Sequence, residues 1–305
     1  MPRKVRNVGA SVRARLLTLA QRKGVDFQLM VTRYALERLL YRLGVSPHRD
    51  RFVLKGAMLF TLWLDDPFRP TRDVDLLGFG DHDAAALKAV FREICSVAVE
   101  DDGVRFDTSR LRAAPIRDQA EYGGVRVQMA ATVGGARVPL RVDIGFGDAV
   151  TPAPSEVDYP VLLDHPPPKL RAYPKETVVA EKFEAVVFLG ATNTRMKDFY
   201  DLWAMSRRFA FDGRVLTSAI GATFKRRATA LPADIPAALT EAFAAEKQKL
   251  WRAFTTRDRL TQTPEAFAEV VAQIGAFLLP VVAAIRSDSG MAMSWQAGGP
   301  WQLTK

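Results

Sequence analysis

Two long alternating runs of residues on either side of Gly134-Gly135 constrain the fold of this chain most. VRVQMAATV and ARVPLRVDIGF alternate apolar and polar residues, which is typical of β-strands with one buried face. A two-residue glycine link between such runs is typical of a β-hairpin. Together with VRFDTSRLRAAPI just upstream, they predict a β-rich segment over residues 104–150.

Helical and strand patterns alternate before this segment, and helical patterns dominate after it. Residues 10–44 and 82–99 show helical spacing, FVL and DVDLLGF resemble strands, and AMLFTLWL follows a turn at Gly56. Residues 151–175 carry seven of the 18 prolines and predict a crossing segment. We therefore expect an α/β (α+β) fold: a mixed-sheet domain with basic N-terminal helices over 1–175, a helical domain over 176–288 and a flexible tail over 289–305.

The positive charge of the chain is concentrated near its beginning. The net charge is +9, and residues 1–51 contain twelve Lys or Arg against three Asp or Glu, whereas the rest holds 31 of each sign. This asymmetry indicates an anionic partner such as a nucleic acid, or else a solvated helical face. The candidate contacts are Arg13, Arg15, Arg22, Lys23, Arg33, Arg38 and Arg42.

Other residue counts narrow the class of protein. No run of 18 or more apolar residues is visible and no apolar region follows the basic start, so we expect neither a membrane span nor a secretory signal. The single cysteine, Cys95, cannot form an internal disulfide. The three histidines, His48, His82 and His165, are scattered rather than grouped as metal ligands. A cytoplasmic location is the expectation.

Three aspartates in strand-like segments are the strongest chemical signal. Asp73 and Asp75 lie two residues apart in RDVDLL, so a strand places both on one face. Asp143 is embedded among apolar residues in RVDIGF. Carboxylates gathered on one face favour a cation, and Mg²⁺ takes hard oxygen ligands and shares them with phosphates. We expect two Mg²⁺ ions; a simple pair of acids at an exposed strand end is the alternative reading of Asp73 and Asp75.

Two further segments suit phosphate binding. In Lys55-Gly56-Ala57, a glycine between strand and helix allows a phosphate to approach the backbone. Lys182 lies on an amphipathic helix and can bind phosphate as a point charge. Asp198 and Asp201 share one face at the start of the next helix, and for Asp201 a helix cap is the favoured interpretation.

In this order, FVLKGA, RPTRDVDL, RVDIGF, AEKFEAVV and RMKDFYDL resemble the AbiEii/AbiGii toxin family, which includes the MenT toxins. The resemblance runs from about residue 10 to about residue 210 and implies a nucleotidyltransferase with a DNA polymerase β-like palm. It implies that Gly56 belongs to the nucleotide-binding turn, with Lys55, Ala57 and Arg72 beside it. It also implies that Asp73, Asp75 and Asp143 hold metal, that Lys182 contacts the triphosphate, and that Asp198 is the last acidic residue. Ala57 replaces the serine or glycine that is common in the superfamily.

The resemblance further implies a role and partners. Such proteins are toxins of bacterial toxin–antitoxin or phage-defence pairs, opposed by an antitoxin that often has a winged-helix domain. Some transfer a nucleotide from an NTP to the tRNA 3′ end and block translation. CTP and GTP are the candidate NTPs. Some are silenced by phosphorylation of a hydroxyl at the place of Thr71. A metal-dependent nuclease, a transferase acting on a small molecule or protein, and a non-catalytic nucleic-acid-binding regulator remain as alternatives.

Overall fold

The chain forms two compact units in a computed structural model that describes residues 7–64, 71–116 and 123–304. Unit 1 comprises Met1–Gly147 and Ser155–Ala172, and unit 2 comprises Asp148–Pro154 and Tyr173–Lys305. The short segment Asp148–Pro154 thus belongs to the mainly helical unit. Residues 1–6, 65–70, 117–122 and Lys305 lie outside the described residues, and the expected loop over 65–70 therefore stays a prediction.

Unit 1 is built on a seven-stranded mixed sheet with the strand order β3-β4-β5-β2-β1-β7-β6. Strands β2 and β5 run parallel, as do β1 and β7, and the other neighbouring pairs are antiparallel. The predicted mixed α/β class is therefore confirmed. The strands are β1 (Phe52–Lys55), β2 (Asp73–Gly78), β3 (Val104–Ile116), β4 (Gly124–Val133), β5 (Ala136–Phe146), β6 (Ser155–Asp158) and β7 (Lys169–Ala172).

The predicted hairpin joins β4 to β5. Val133 pairs with Ala136, and Gly134 and Gly135 both have positive φ, at 52° and 83°. A two-residue turn with positive φ at both positions matches the twist of the strands it joins, which is why glycine is favoured there. The turn also fixes the register of the whole hairpin, and this register determines which side chains meet on each face of the sheet.

Helices α2 and α4 pack against one face of this sheet. Val127 and Val138 are fully buried on that face. Their starts are capped by Asp26 and Asp83, whose carboxylates accept backbone N–H groups of the first turn. The helices of unit 1 are α1 (Val8–Lys23), α2 (Phe27–Gly44), α3 (Leu59–Trp63) and α4 (Ala84–Ser96).

Two arginines assigned to the basic face are buried. Arg38 and Arg42 are 1% and 5% exposed, and both bind the carboxylate of Asp102, at 3.0 Å and 2.7 Å. Burial alone would raise the pKa of Asp102, but the two guanidinium groups outweigh it and hold the pKa below its usual value. The expectation that Arg38 and Arg42 contact RNA is therefore wrong, because their charges are already neutralised inside unit 1.

Unit 2 consists mainly of helices around a long apolar one, α9. Within the described residues, α9 alone is long and apolar enough to cross a membrane, with a mean hydropathy of 2.0. Ile274 and Phe277 are fully buried, and the Phe277 ring packs on Phe211 and Trp295, so α9 is the core helix of this unit. The helices are α5 (Lys175–Leu189), α6 (Met196–Arg208), α7 (Gly213–Arg226), α8 (Glu241–Arg257) and α9 (Phe267–Ser287).

The end of the chain is packed rather than loose. Trp295 is 2% exposed and donates its indole N–H to Ser206 O at 2.7 Å, and Trp301 donates to Phe277 O at 2.9 Å. Strands β8 (Phe211–Asp212), β9 (Met293–Trp295) and β10 (Trp301–Leu303) form a small sheet. The expectation of a flexible tail over 289–305 is therefore wrong, because these isolated aromatics supply buried area that fixes it in place.

Candidate functional site

Strand β2 presents Asp73 and Asp75 on one face and buries its apolar residues on the other. Val74 and Leu76 are each 1% exposed, whereas both aspartates are only half-buried. This is the alternation that a strand requires when one face packs on the core. The arrangement leaves two carboxylates two residues apart on the face that α2 and α4 do not cover.

Asp143 joins this face through the parallel pairing of β2 with β5. The pairing sets Asp75 opposite Asp143 and Asp73 opposite Arg141. Residues opposite each other on neighbouring strands lie on the same face of a sheet. The three aspartates therefore share one face, and Arg141 Nη1 lies 3.6 Å from Asp73 Oδ2.

Arg126 on β4 binds the carboxylate of Asp143. It pairs directly with Asp143 across the hairpin and donates from Nε and Nη2 to the two carboxylate oxygens, each at 2.7 Å. A two-point contact of this kind fixes the plane of the carboxylate as well as neutralising it. Arg126 therefore orients Asp143 at the centre of the sheet face.

Gly56 allows the turn after β1 to lie against Asp75. Lys55 pairs with Asp75, and Gly56 follows with φ +74° at the start of a short 3-10 turn, Gly56–Met58, that leads into α3. A Cβ at position 56 would lie 2.0 Å from Asp75 Oδ2. Both the positive φ and this close approach require glycine. Ala57 points inward and is 7% exposed.

We expect Gly56→Ala to impair the site by displacing Asp75. The added methyl group cannot coexist with the carboxylate where it stands, so the Asp75 side chain must move. Gly80→Ala is the matched control, because Gly80 has φ +85° but nothing within 4 Å of its would-be Cβ. Both variants should lose roughly 1–2 kcal/mol of stability from left-handed strain. Gly56→Ala alone should lose most of the nucleotidyl transfer that the resemblance implies, measured by NTP labelling. Equal activity in the two variants would mean that the close approach of Gly56 to Asp75 is not needed.

The residues just before β2 contribute less defined contacts. Arg72 is exposed and precedes the strand. Thr71 is half-buried and donates its hydroxyl to Asp73 O at 3.2 Å. This bond places Thr71 next to the carboxylate face, as its position two residues before Asp73 suggests.

In unit 2, Lys182 is held between two buried carboxylates. Its Nζ lies 2.9 Å from Asp198 Oδ1 and 2.7 Å from Asp201 Oδ2, and Arg195 also binds Asp198. Burial would raise the pKa of Asp198, but Lys182 and Arg195 outweigh it and keep the pKa below its ordinary value. Asp201 is fully buried and is not a helix cap, which corrects the favoured sequence interpretation.

The carboxylate face of unit 1 has the donor chemistry of a magnesium site. Asp73, Asp75 and Asp143 supply the hard oxygen ligands that Mg²⁺ prefers, and they share one face at the centre of the sheet. Within the described ranges, no three His, Cys, Asp or Glu side chains are grouped closely enough to hold a metal ion. The Arg126 fork on both oxygens of Asp143 accounts for part of this, since it takes the place of a cation there. The residue types fit the metal, and Asp143 would have to exchange partners to bind it.

The comparison with protein families decides the class. A family model described as nucleotidyl transferase AbiEii toxin, type IV toxin–antitoxin system, matches residues 38–273, which is most of the chain. The chain belongs to this family. The matched range contains Asp73, Asp75, Asp143, Lys182 and Asp198, and it confirms the resemblance of the sequence motifs to the AbiEii family.

Two solved structures from Helicobacter pylori are similar to this AbiEii-family chain. One is described as a candidate nucleotidyltransferase, with 14% identity, a TM-score of 0.48, and coverage of 86% of this chain and 98% of its own. The other is JHP933, with 13% identity, a TM-score of 0.48, and coverage of 87% and 96%. No curated protein matches the chain.

Arg126 is the site residue that the sequence interpretation missed, although a signal for it exists. A two-residue turn at Gly134-Gly135 pairs Val133 with Ala136, and counting back along both strands pairs Arg126 with Asp143. Hairpin register thus predicts this ion pair once the turn is accepted. The contact of Arg141 with Asp73 has no such local signal, because it depends on the non-local pairing of β2 with β5.

Proposed function

We propose that this AbiEii-family toxin transfers a nucleoside monophosphate from an NTP to an RNA acceptor, the 3′ end of a tRNA, and thereby blocks translation. The observation that carries the proposal is the face shared by Asp73, Asp75 and Asp143 within a chain of the nucleotidyl transferase AbiEii family. In this reaction an acceptor hydroxyl oxygen forms a bond to the α-phosphorus. The bond between that phosphorus and the leaving pyrophosphate breaks, and the hydroxyl proton passes to the surrounding carboxylates and water.

Asp73, Asp75 and Asp143 would hold Mg²⁺, with two ions expected. The bound ions would neutralise the triphosphate and make the acceptor hydroxyl a better nucleophile. Arg126 would keep the plane of the Asp143 carboxylate fixed until that carboxylate binds Mg²⁺. Gly56 would keep the backbone close to Asp75, so that the two elements of the site stay in contact.

The proposed phosphate contacts are Lys55, the backbone of Gly56 and Ala57, Arg72 and Lys182. Lys55 is the direct cross-strand neighbour of Asp75, which supports its assignment to the nucleotide. For Lys182 the proposal carries a condition, because the ammonium group is engaged by Asp198 and Asp201. It would contact a triphosphate with its remaining hydrogen-bonding capacity or after exchanging one aspartate.

The proposed RNA contacts on the N-terminal helices are confined to exposed residues. On α1, Arg13, Arg15, Arg22 and Lys23 are exposed, and Arg15 also pairs with exposed Asp164 at 2.5 Å. Arg33 on α2 is half-buried. Because Arg38 and Arg42 are buried, fewer basic side chains are available to RNA than the charge count of residues 1–51 suggests.

Control of the toxin would come from a cognate antitoxin, which we propose carries a winged-helix domain, and from phosphorylation of Thr71. A phosphate there would add about −1.5 to −2 charges and would break the bond from Thr71 to Asp73 O. Both effects would disturb the carboxylate face and repel a triphosphate. Intact mass of the toxin co-expressed with its antitoxin tests this: inactivation without a phosphate on Thr71 would contradict it.

Incubation with each labelled NTP and total RNA, with Mg²⁺ or EDTA, tests the proposed function. The expected result is label in the tRNA fraction for one preferred NTP and none in EDTA. Label in protein or in a small molecule would support the alternative acceptors instead. Shortened RNA with no incorporated label would indicate a nuclease, for which three carboxylates and Mg²⁺ are also suited.

A further inference from the structure

A set of arginines lies on the uncovered face of strands β3, β4 and β5, on the same side as the carboxylates. The pairings set Arg105 across from Arg137 with Thr132 between them, and Arg112 across from Arg141 with Gln128 between them. Since in-register neighbours share a face, all four arginines lie on the face that carries Asp73, Asp75 and Asp143. We refer to Arg105, Arg112, Arg137 and Arg141 as the arginine face.

An irregularity in β3 is what places two of these arginines together. Pairing with β4 shifts between Asp107 and Arg112, so that five steps along β3 correspond to two steps along β4. The two counts differ by an odd number of residues, so the shift reverses which alternate residues of β3 face the core. Val104 is buried before the shift and Leu111 after it. Without the shift, plain alternation would direct Arg105 and Arg112 to opposite faces. Bulges of this kind re-aim side chains next to functional sites.

Three of the four arginines have no ion-pair partner among the described residues. Arg105, Arg112 and Arg137 are exposed, and no carboxylate of the described residues lies within ion-pair distance of them. Arg141 contacts Asp73 only at 3.6 Å, and its buried Nε has no hydrogen-bond partner. The nearest other acid on this face, Asp107, is engaged with Ser109 and Arg110. Uncompensated guanidinium groups aligned on one surface bind phosphates.

Protection of a sheet edge does not account for the pattern. Strand β3 is the edge of the sheet, and charged side chains on an edge strand prevent unwanted pairing with other chains. Arg105 and Arg112 alone could serve that purpose. Arg137 and Arg141 lie on β5, which is flanked by β4 and β2, so they have no edge to protect.

We propose that the arginine face binds the phosphodiester backbone of the RNA acceptor and leads its end to the carboxylates. Arg137 lies six residues before Asp143 on β5, which is a distance of roughly 20 Å at the rise of a strand. This length is enough for the arginines to contact several successive phosphates of one RNA strand. This rests on the proposed function for the identity of the acceptor. It adds Arg105, Arg112, Arg137 and Arg141 to the exposed basic residues of α1 as proposed RNA contacts.

The test compares two triple variants with equal change in charge. Arg105→Glu/Arg112→Glu/Arg137→Glu removes the arginine face outside the carboxylate site. Arg214→Glu/Lys225→Glu/Lys249→Glu is the control, since these three residues are exposed on unit 2 and make no ion pair among the described residues. Fluorescence anisotropy measures binding of a labelled single-stranded RNA and of bulk bacterial tRNA at several salt concentrations. A triple Arg→Gln variant repeats the test if the glutamates lower the melting temperature.

The arginine-face variant should bind RNA at least about tenfold more weakly, and its log–log salt slope should flatten by ~0.7 for each phosphate that the variant no longer neutralises. The control should keep wild-type affinity and slope. Unchanged RNA binding in the arginine-face variant would overturn the proposal while leaving transfer to RNA intact. RNA binding through this face without any NMP transfer by the wild type would instead overturn the proposed function alone. Failure of the variant to retain the co-expressed antitoxin, with RNA binding unchanged, would make the surface a protein interface and would also overturn the proposal.

Discussion

Asp75→Asn should abolish nucleotidyl transfer, with a loss of at least about 10³-fold, equivalent to ~4 kcal/mol of transition-state stabilisation. Asp75 is the central carboxylate of the face: it is paired with Asp143 on one side and Lys55 on the other, and Gly56 lies against it. Asparagine keeps the shape but removes the charge that a divalent cation requires. The loss should appear in the rate of labelled NMP incorporation at saturating NTP.

Two measurements separate this effect from unfolding and from a general change in charge. Asp50→Asn is the matched control, because Asp50 is an exposed aspartate of the same unit. Both variants should melt within a few degrees of the wild type. Manganese binding followed by electron paramagnetic resonance should weaken in Asp75→Asn and not in Asp50→Asn. Wild-type activity in Asp75→Asn would contradict the assigned site.

Lys182→Met should destabilise unit 2 by ~3 kcal/mol or more. The change leaves Asp198 and Asp201, 3% and 0% exposed, without the ammonium group between them. Removing one partner of a buried ion pair typically costs about 3–5 kcal/mol, because the remaining charge stays buried without it. Arg195 still compensates Asp198, so the lower end of this range is expected. Urea denaturation measures the difference.

Lys247→Met is a close control for Lys182→Met. The two lysine side chains are 16% and 14% exposed, but the partner of Lys247 is Glu246, whose side chain is 65% exposed. An exposed partner can turn to water, so this control should lose less than about 1 kcal/mol. Adding Asp201→Asn to Lys182→Met should restore part of the lost stability. Equal losses in the two lysine variants would contradict a stabilising role for the ion pairs of Lys182 with Asp198 and Asp201.

Acid should reduce the effect of Lys182→Met. The pKa of Asp198 is lowered in the folded protein because the charges of Lys182 and Arg195 outweigh its burial. A lowered folded-state pKa gives stability that is present above the ordinary carboxyl pKa and is lost as the pH falls through the folded value. The difference in free energy of unfolding between the wild type and Lys182→Met should therefore be largest at neutral pH and should decrease in strong acid.

Local pattern was enough to predict the strand of Asp73 and Asp75 and the hairpin that ends in Asp143. Alternation fixes which side chains share a face, and Gly134-Gly135 fixes the hairpin. The pairing of β2 with β5, which sets Asp75 beside Asp143, joins residues far apart in the chain and leaves no local signal. The register shift in β3 changes the phase of its buried residues, from Val104 to Leu111, but the sequence does not show at which residues the pairing shifts.

The number of basic residues in the N-terminal helices overestimates the exposed charge, because tertiary contacts decide which side chains are exposed. Arg38 and Arg42 resemble the other basic residues of the N-terminal helices, but Asp102, some sixty positions further along, draws both into the interior. At the end of the chain, composition predicts too little packing. The glycine and serine residues after Asp288 suggest a loose tail, whereas Trp295 and Trp301 bind backbone carbonyls and pack on Phe277.

Nucleotidyl transfer to RNA at the Asp73, Asp75 and Asp143 face has two products, and measuring both in one reaction tests it most directly. Purified toxin is mixed with tRNA and its preferred NTP in Mg²⁺, and pyrophosphate release and the mass of the RNA are measured together. We expect one pyrophosphate for every nucleotide added to the RNA, with neither product formed in EDTA or by Asp75→Asn. RNA of unchanged or reduced length, or full extension by Asp75→Asn, would contradict it.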